Sequence, residues 1–134
     1  MDDTSRAMLS EHFERLRDHG NILSMLFMRP KGTSRGFIGE VREHVLWLVL
    51  PHVTWRELRR PWRFWRCGMA RGCAMRLERM GPRPASRLRL GRDVAEAVDH
   101  VDACYDALYG TRGWYVLEFM AIGWTPNPNY DPGA

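Results

Sequence analysis

Long hydrophobic stretches are missing from this sequence. Its longest run of consecutive apolar residues is Val45–Leu50, whereas a membrane-spanning helix needs about 20 such residues. The first three residues, Met1-Asp2-Asp3, are acidic and polar and lack the positive charge and apolar core of a secretory signal. The sequence therefore predicts neither a membrane span nor export.

Cysteine is also scarce, and its spacing excludes two common uses. The three cysteines are Cys67, Cys73 and Cys104, and an odd number of thiols does not suggest a disulfide framework. We therefore expect reduced thiols in a reducing compartment, the cytoplasm. Cys67 and Cys73 lie six positions apart, which does not fit the ligand spacing of a zinc site. The sequence predicts no metal and no cofactor.

Lysine occurs once, as Lys31, so arginine supplies nearly all of the 20 basic side chains. Arginine binds phosphate and carboxylate through two parallel hydrogen bonds and stacks on aromatic rings, which lysine does not. We interpret this bias as the composition of a GC-rich genome, which suggests a bacterium or its phage.

Acidic residues are nearly absent from one part of the chain, residues 55–92, which we call the basic segment. It contains twelve arginines and two acids, Glu57 and Glu78, whereas the whole chain carries a net charge of only +4. Such asymmetry predicts an acidic partner, either nucleic acid or an acidic protein surface. The alternative is that the chain neutralises the basic segment internally, with carboxylates that line up on the predicted helix 92–109: Glu96, Asp99, Asp102 and Asp106.

The spacing of apolar residues predicts several helices and strands. Apolar side chains that recur every three or four positions favour a helix, whereas short β-branched and aromatic runs bounded by glycine or proline favour a strand. The predicted helices are 4–19, 61–80 and 92–109, and the predicted strands are 22–29, 87–90 and 114–122.

Residues 37–50 fit two structures. Ile38, Val41 and Val45 recur at helical spacing, but Val45–Leu50 is β-branched and aromatic enough for a buried strand. We predict a helix. With a helix there, a helix-turn-helix across residues 37–80 is conceivable.

The predicted fold class is α+β, with about four helices packed on a small sheet of two or three strands. A chain of 134 residues has the size of one domain. We predict one globular domain over residues 1–124. Residues 125–134 are rich in proline and asparagine and are predicted to form an irregular tail.

The basic segment is the predicted binding surface because its arginines are interleaved with aromatic residues. Arginine supplies phosphate or carboxylate contacts, and an exposed tryptophan can stack on a base or anchor a protein interface. The alternative is that the tryptophans belong to the core and the arginines form a solvated outer face. The predicted partner-binding residues are Trp55, Arg56, Arg59, Arg60, Trp62, Arg63, Arg66, Arg71, Arg87 and Arg89.

These features predict a small non-enzymatic protein that docks on a protein or nucleoprotein partner. A concrete version is an inhibitor carried by a phage or mobile element, of the anti-CRISPR or host-takeover type. The first alternative is a protein that binds DNA or RNA directly through the same arginines.

The second alternative is a small enzyme, although no nucleophile elbow, dinucleotide fingerprint or phosphate loop occurs in the sequence. His100 and Cys104 lie four positions apart on a predicted helix, so an imidazole could activate a thiol there. Glu118, inside a predicted strand, is a further candidate.

Overall fold

A computed structural model describes residues 1–52, 59–110 and 115–123. In these ranges the chain forms three helices and six strands. In chain order they are α1 (Asp3–His19), β1 (Met25–Pro30), β2 (Phe37–Arg42), β3 (Val45–Pro51), α2 (Arg59–Ala70), β4 (Met75–Met80), β5 (Arg83–Gly91), α3 (Val94–Tyr109) and β6 (Leu117–Ile122).

The six strands form one antiparallel sheet in the order β4-β5-β3-β2-β1-β6. The α+β class is confirmed, but the prediction of about four helices on two or three strands is wrong. None of the helices in the described ranges has the length and apolarity needed to cross a bilayer. The predicted tail at 125–134 lies outside the described residues.

The largest correction concerns residues 37–50, which form the hairpin β2–β3 and not a helix. Glu43 and His44 both have positive φ, 52° and 65°, as a tight hairpin turn requires. β3 is buried along six of its seven residues, because both faces of this central strand are covered. Its apolar run therefore has no alternation that marks a strand, and a helix-turn-helix across this region is excluded.

The predicted helix 61–80 is also wrong in its second half. α2 ends at Ala70, Gly72 takes the left-handed conformation with φ of 75°, and the chain continues as β4. The Gly72 and Cys73 amides donate to the carbonyls of Met69 and Gly68 at 3.1 and 2.8 Å. This is the paired hydrogen-bond pattern with which helices commonly end at a glycine.

The other predicted elements are confirmed within a few residues. Helix 92–109 is α3, which begins after the cap Asp93 and ends at the left-handed Gly110. Helix 4–19 is α1. Strands 22–29, 87–90 and 114–122 correspond to β1, β5 and β6.

The two faces of the sheet are covered differently. All three helices contribute to the main core on one face, through residues such as Phe13, Phe64 and Tyr105. The other face, which we call the second face, carries a smaller cluster of buried strand residues, Ile38, Val49 and Ala85. Among the described residues, the partly buried side chains of Met25, Phe27 and Met80 pack against this cluster.

Candidate functional site

The sheet divides the predicted binding residues into two groups. Arg87 and Arg89 alternate with Leu88 and Leu90, which belong to the main core, so both arginines are on the second face. Four others lie on α2 or directly after it on the helical side of the sheet: Trp62, Arg63, Arg66 and Arg71. Trp55 and Arg56, and the side chains of Arg59 and Arg60, lie outside the described residues.

One side of α2 combines apolar and basic side chains, and we call Trp62, Arg63, Arg66 and Met69 the α2 face. Trp62 and Met69 are 54% and 57% exposed, and both arginines are exposed. Trp62, Arg66 and Met69 follow one another at steps of four and three, so they share one side of the helix. For Trp62, the alternative that the tryptophans belong to the core is therefore wrong.

Phe64 and Trp65 fix α2 to the sheet. Phe64 is fully buried, and the indole Nε1 of Trp65 donates to Ser86 Oγ on β5 at 2.6 Å. The rings of Trp62 and Trp65 pack edge to face, with centroids 6.3 Å apart at 78°. Trp62 is therefore held by a neighbour that is itself anchored, while about half of its surface faces solvent.

No carboxylate of the described chain pairs with Arg63 or Arg66. α2 contains no acidic residue. Two of the acids of α3 are paired with α1: Arg6 binds Asp99 at 2.6 Å and Asp102 at 3.1 Å. For these two arginines, the alternative of internal neutralisation by α3 does not hold.

On the second face, four charged residues form what we call the sheet-face network. Arg87, only 6% exposed, binds Glu40 through Nε at 3.0 Å and Glu78 through a terminal nitrogen at 2.9 Å. Arg42 binds the same Glu78 at 2.9 Å, and hydrogen bonds from Arg42 are the chief reason that the pKa of Glu78 is lowered. Arg87 is thus committed internally and is not accessible to a partner.

A cavity of about 610 Å³ opens beside this network. Among the described residues that line it, Glu43 is the only acid. Trp47 also lines the cavity, and the guanidinium carbon of Arg76 lies over its ring, 5.3 Å from the centroid. Guanidinium groups converging on one space can hold a phosphate or carboxylate group. The basic lining residues are Arg42, Arg76, Arg89 and Arg92.

The residues proposed for an enzymatic site are not brought together. Arg71 Nε donates to His100 Nδ1 at 2.7 Å, whereas the Cys104 thiol donates to the sulfur of Cys67. Burial lowers the pKa of His100, and the contact with Cys67 together with burial raises the pKa of Cys104 well above its ordinary value. Glu118 forms an ion pair with Arg29 at 3.1 Å on the neighbouring strand.

A buried serine–histidine contact was not foreseen from the sequence. His52 Nε2 lies 2.8 Å from Ser86 Oγ, the same oxygen that accepts from Trp65. Ser86 is 0% exposed and His52 is 4% exposed, so a substrate cannot reach this serine. The contact joins β3, β5 and α2, and its role is structural.

Comparison with protein-family models, with curated proteins and with solved structures finds no match to this chain. Nor does any group of three or more histidine, cysteine, aspartate or glutamate side chains in residues 1–52, 59–110 and 115–123 converge as metal ligands do. The α2 face is therefore the feature of the described structure that best indicates a function.

Proposed function

We propose that this protein is a non-enzymatic binding protein that docks on an acidic protein partner through the α2 face. The observation that carries the proposal is the exposure of Trp62 and Met69 on either side of Arg66, a guanidinium without a described carboxylate partner. Tryptophan and arginine are the residue types that most often dominate protein–protein binding energy.

The apolar content of the α2 face favours a protein over a nucleic acid. Met69 has a flexible thioether that adapts to an apolar groove, and a phosphate backbone offers no such groove. An amphipathic helix that inserts side chains spaced three and four apart is a recurring mode of protein recognition. The arginines on each side would then meet carboxylates at the rim of the partner's groove.

The α2 face is also rigid enough to bind without a large ordering cost. Trp62 packs on Trp65, and Trp65 is hydrogen-bonded to the sheet. A side chain that is already held in place loses less conformational entropy when it is buried in an interface.

The test is affinity capture from the cells that naturally produce the protein, with chemical crosslinking and nuclease treatment. The wild type is expected to recover one acidic protein in stoichiometric amount. Trp62→Ala and Arg66→Glu are each expected to weaken recovery at least about tenfold, because removing a hot-spot side chain costs about 2 kcal/mol or more.

The control variant is Arg83→Glu, which makes the same charge reversal at an exposed arginine on the hairpin β4–β5. It is expected to recover the partner as the wild type does. Equal loss with Arg66→Glu and Arg83→Glu would reduce the arginine effect to net charge, and unchanged recovery with Trp62→Ala would refute the α2 face.

Loss of recovery after nuclease treatment would assign the partner to nucleic acid instead. The purified protein would then bind duplex DNA with a slope of about −0.9 in log affinity against log salt for each phosphate neutralised.

In the more specific version of this proposal, the protein is a phage or mobile-element inhibitor of the anti-CRISPR or host-takeover type. Its small size and arginine-rich composition support that version, and its partner would be an acidic subunit of a nucleoprotein complex. The proposed setting is the cytoplasm, since the three cysteines are free and reducing compartments keep thiols reduced.

A further inference from the structure

Two of the three cysteines face each other across the α2–α3 contact. Cys67 lies on α2 and is half-buried, whereas Cys104 lies on α3 and is buried. Their sulfur atoms are 3.9 Å apart, and the Cys104 thiol donates a hydrogen bond to Cys67. A disulfide bond requires about 2.05 Å between the sulfurs, so closure needs only a short approach of the two side chains.

Cys67 also lines an open cavity of about 440 Å³ between α2 and α3. Small molecules can therefore reach its sulfur from solvent, whereas Cys104 is not among the residues that line the cavity. Small and basic side chains line the rest of the cavity. The small residues are Ala70, Ala103 and Ala107, and the basic residues are Arg63, Arg66 and Arg71.

The environments of the two thiols differ in the direction that redox chemistry requires. The pKa of Cys67 falls from 9.0 to about 7, chiefly through the hydrogen bond from Cys104 and further through Arg71, against burial and the Asp106 carboxylate. The pKa of Cys104 is raised. Reactive thiols are partly exposed, electropositive and ionised near neutral pH, and Cys67 meets all three conditions.

We propose that Cys67 is a peroxide-sensitive thiol and that Cys104 resolves its oxidised form into an intramolecular disulfide. The oxidant is hydrogen peroxide, which enters the cavity. This inference does not depend on the proposed docking function.

The reaction proceeds in two balanced steps. The Cys67 thiolate attacks one peroxide oxygen, the O–O bond breaks, and hydroxide leaves and takes up a proton to form water, which leaves Cys67 as a sulfenic acid. The Cys104 thiol then attacks the Cys67 sulfur, the S–O bond breaks, and the hydroxyl leaves with the thiol proton as a second water. The pair loses two electrons and two protons, and the peroxide is reduced to two molecules of water.

The third cysteine is an internal control. Cys73 is buried, burial raises its pKa, and the cavity beside Cys67 does not include it. It is therefore expected to stay reduced under conditions that oxidise the other two.

The first test is intact-mass analysis and peptide mapping of the full chain after treatment with one equivalent of hydrogen peroxide and blocking of the remaining thiols. The expected product has lost two hydrogens, carries one blocking group on Cys73, and yields a peptide that joins Cys67 to Cys104. Cys104→Ser is expected to stop at a Cys67 sulfenic acid that dimedone traps. Cys73→Ser is expected to form the disulfide as the wild type does.

A second test needs no variant. The rate of alkylation of Cys67 by iodoacetamide in the folded wild type is expected to rise with pH around a midpoint near 7, well below that of Cys73. The pKa of Cys67 is lowered chiefly by the hydrogen bond from Cys104 and also by Arg71, and it is raised by burial and by Asp106 on α3. Arg63 and Arg66 also face the cavity.

Equal oxidation of all three thiols, or a disulfide that involves Cys73, would overturn the proposal, as would a Cys67 that alkylates no faster than Cys73 at pH 7. These experiments contain no partner protein. Their result therefore stands whether or not the α2 face binds one.

Discussion

At the scale of single residues, the small side chain of Ser86 hydrogen-bonds two larger side chains, those of Trp65 and His52. Its hydroxyl oxygen accepts from the Trp65 indole at 2.6 Å. Its one hydrogen is free to bond His52 Nε2 at 2.8 Å, and burial lowers the pKa of that imidazole. One side-chain oxygen thus connects α2, β3 and β5 at a point without exposed surface.

Replacing Ser86 is therefore expected to destabilise the protein far more than its single hydroxyl implies. Ser86→Ala leaves the Trp65 N–H without its acceptor, and an unsatisfied buried donor costs about 1–3 kcal/mol. Urea denaturation should show a loss of unfolding free energy in this range. Ser34→Ala, at an exposed serine, should change it by no more than about 0.5 kcal/mol; an equally small effect at Ser86 would contradict the prediction.

At the scale of the elements, the helices α1 and α3 were predictable because each has one buried side and one solvated side, which gives a clear helical period. Their ends were marked as well, by Gly20 and Gly110. β3 gave no such signal. Its residues Leu46, Leu48 and Leu50 face the helices, while Trp47 and Val49 lie on the second face. A strand buried on both faces has no alternation to detect.

The end of α2 was missed for a different reason. Met69 and Leu77 continue the helical spacing across Gly72, and only the conformation of that glycine shows that the helix has stopped. Trp62, Met69 and Leu77 are all about half exposed, because apolar character alone does not decide which side of a helix is buried. For the same reason, the predicted binding residues included Trp62, Arg63 and Arg66 but not Met69.

The contact between α2 and β5 leads to a prediction at this scale. A Cβ built on Gly68 would lie 2.9 Å from Cδ1 of Leu88 and closer still to Cδ2, and Leu88 is fully buried. Gly68→Ala is expected to lower the unfolding free energy by about 1–3 kcal/mol through overpacking, although alanine favours a helix by about 1 kcal/mol.

The double variant Gly68→Ala/Leu88→Ala separates overpacking from helix propensity. Its loss of unfolding free energy, measured by urea denaturation, should be smaller than the sum of the two single losses, because the new methyl group occupies space that Leu88 vacates. Additive losses would mean that the two residues do not compete for the same space.

At the scale of the whole molecule, the charge asymmetry of the sequence was real, but its placement was not predictable. Arg63 and Arg87 both belong to the basic segment. Arg63 is exposed on the α2 face, whereas Arg87 is buried on the second face and paired with Glu40. The alternation of side chains along β5 predicts that Arg87 and Leu88 lie on opposite faces of the sheet. It does not predict the carboxylate partners of Arg87, which come from β2 and β4. Similarly, no spacing in the sequence predicts that Cys67 contacts Cys104, because the two residues lie on different helices.

The sheet-face network makes stability depend on pH. Hydrogen bonds from Arg42 lower the pKa of Glu78 below 4.5 in the folded protein, so the folded state favours the carboxylate. This contribution is fully present above the unfolded value of 4.5 and is lost as the pH falls through the lower folded value. The unfolding free energy is expected to decline between about pH 5 and pH 3.

Denaturation curves across that range check this prediction. Glu78→Gln should show a shallower decline than the wild type. Glu43→Gln removes an exposed carboxylate that forms no ion pair with the described residues and should keep the wild-type decline. Equal slopes for Glu78→Gln and the wild type would contradict the assignment to this network.

The same network has a consequence for how the strands find each other during folding. Glu40, Glu78 and Arg87 come from β2, β4 and β5, and each has an adjacent apolar residue, Val41, Leu77 or Leu88, on the opposite face of the sheet. A hairpin that slips by one position turns all of its side chains over, which would bury these charges against Phe13 and Leu48 and expose the leucines to water. A shifted register is therefore unfavourable on both faces of the sheet, and this favours the observed register.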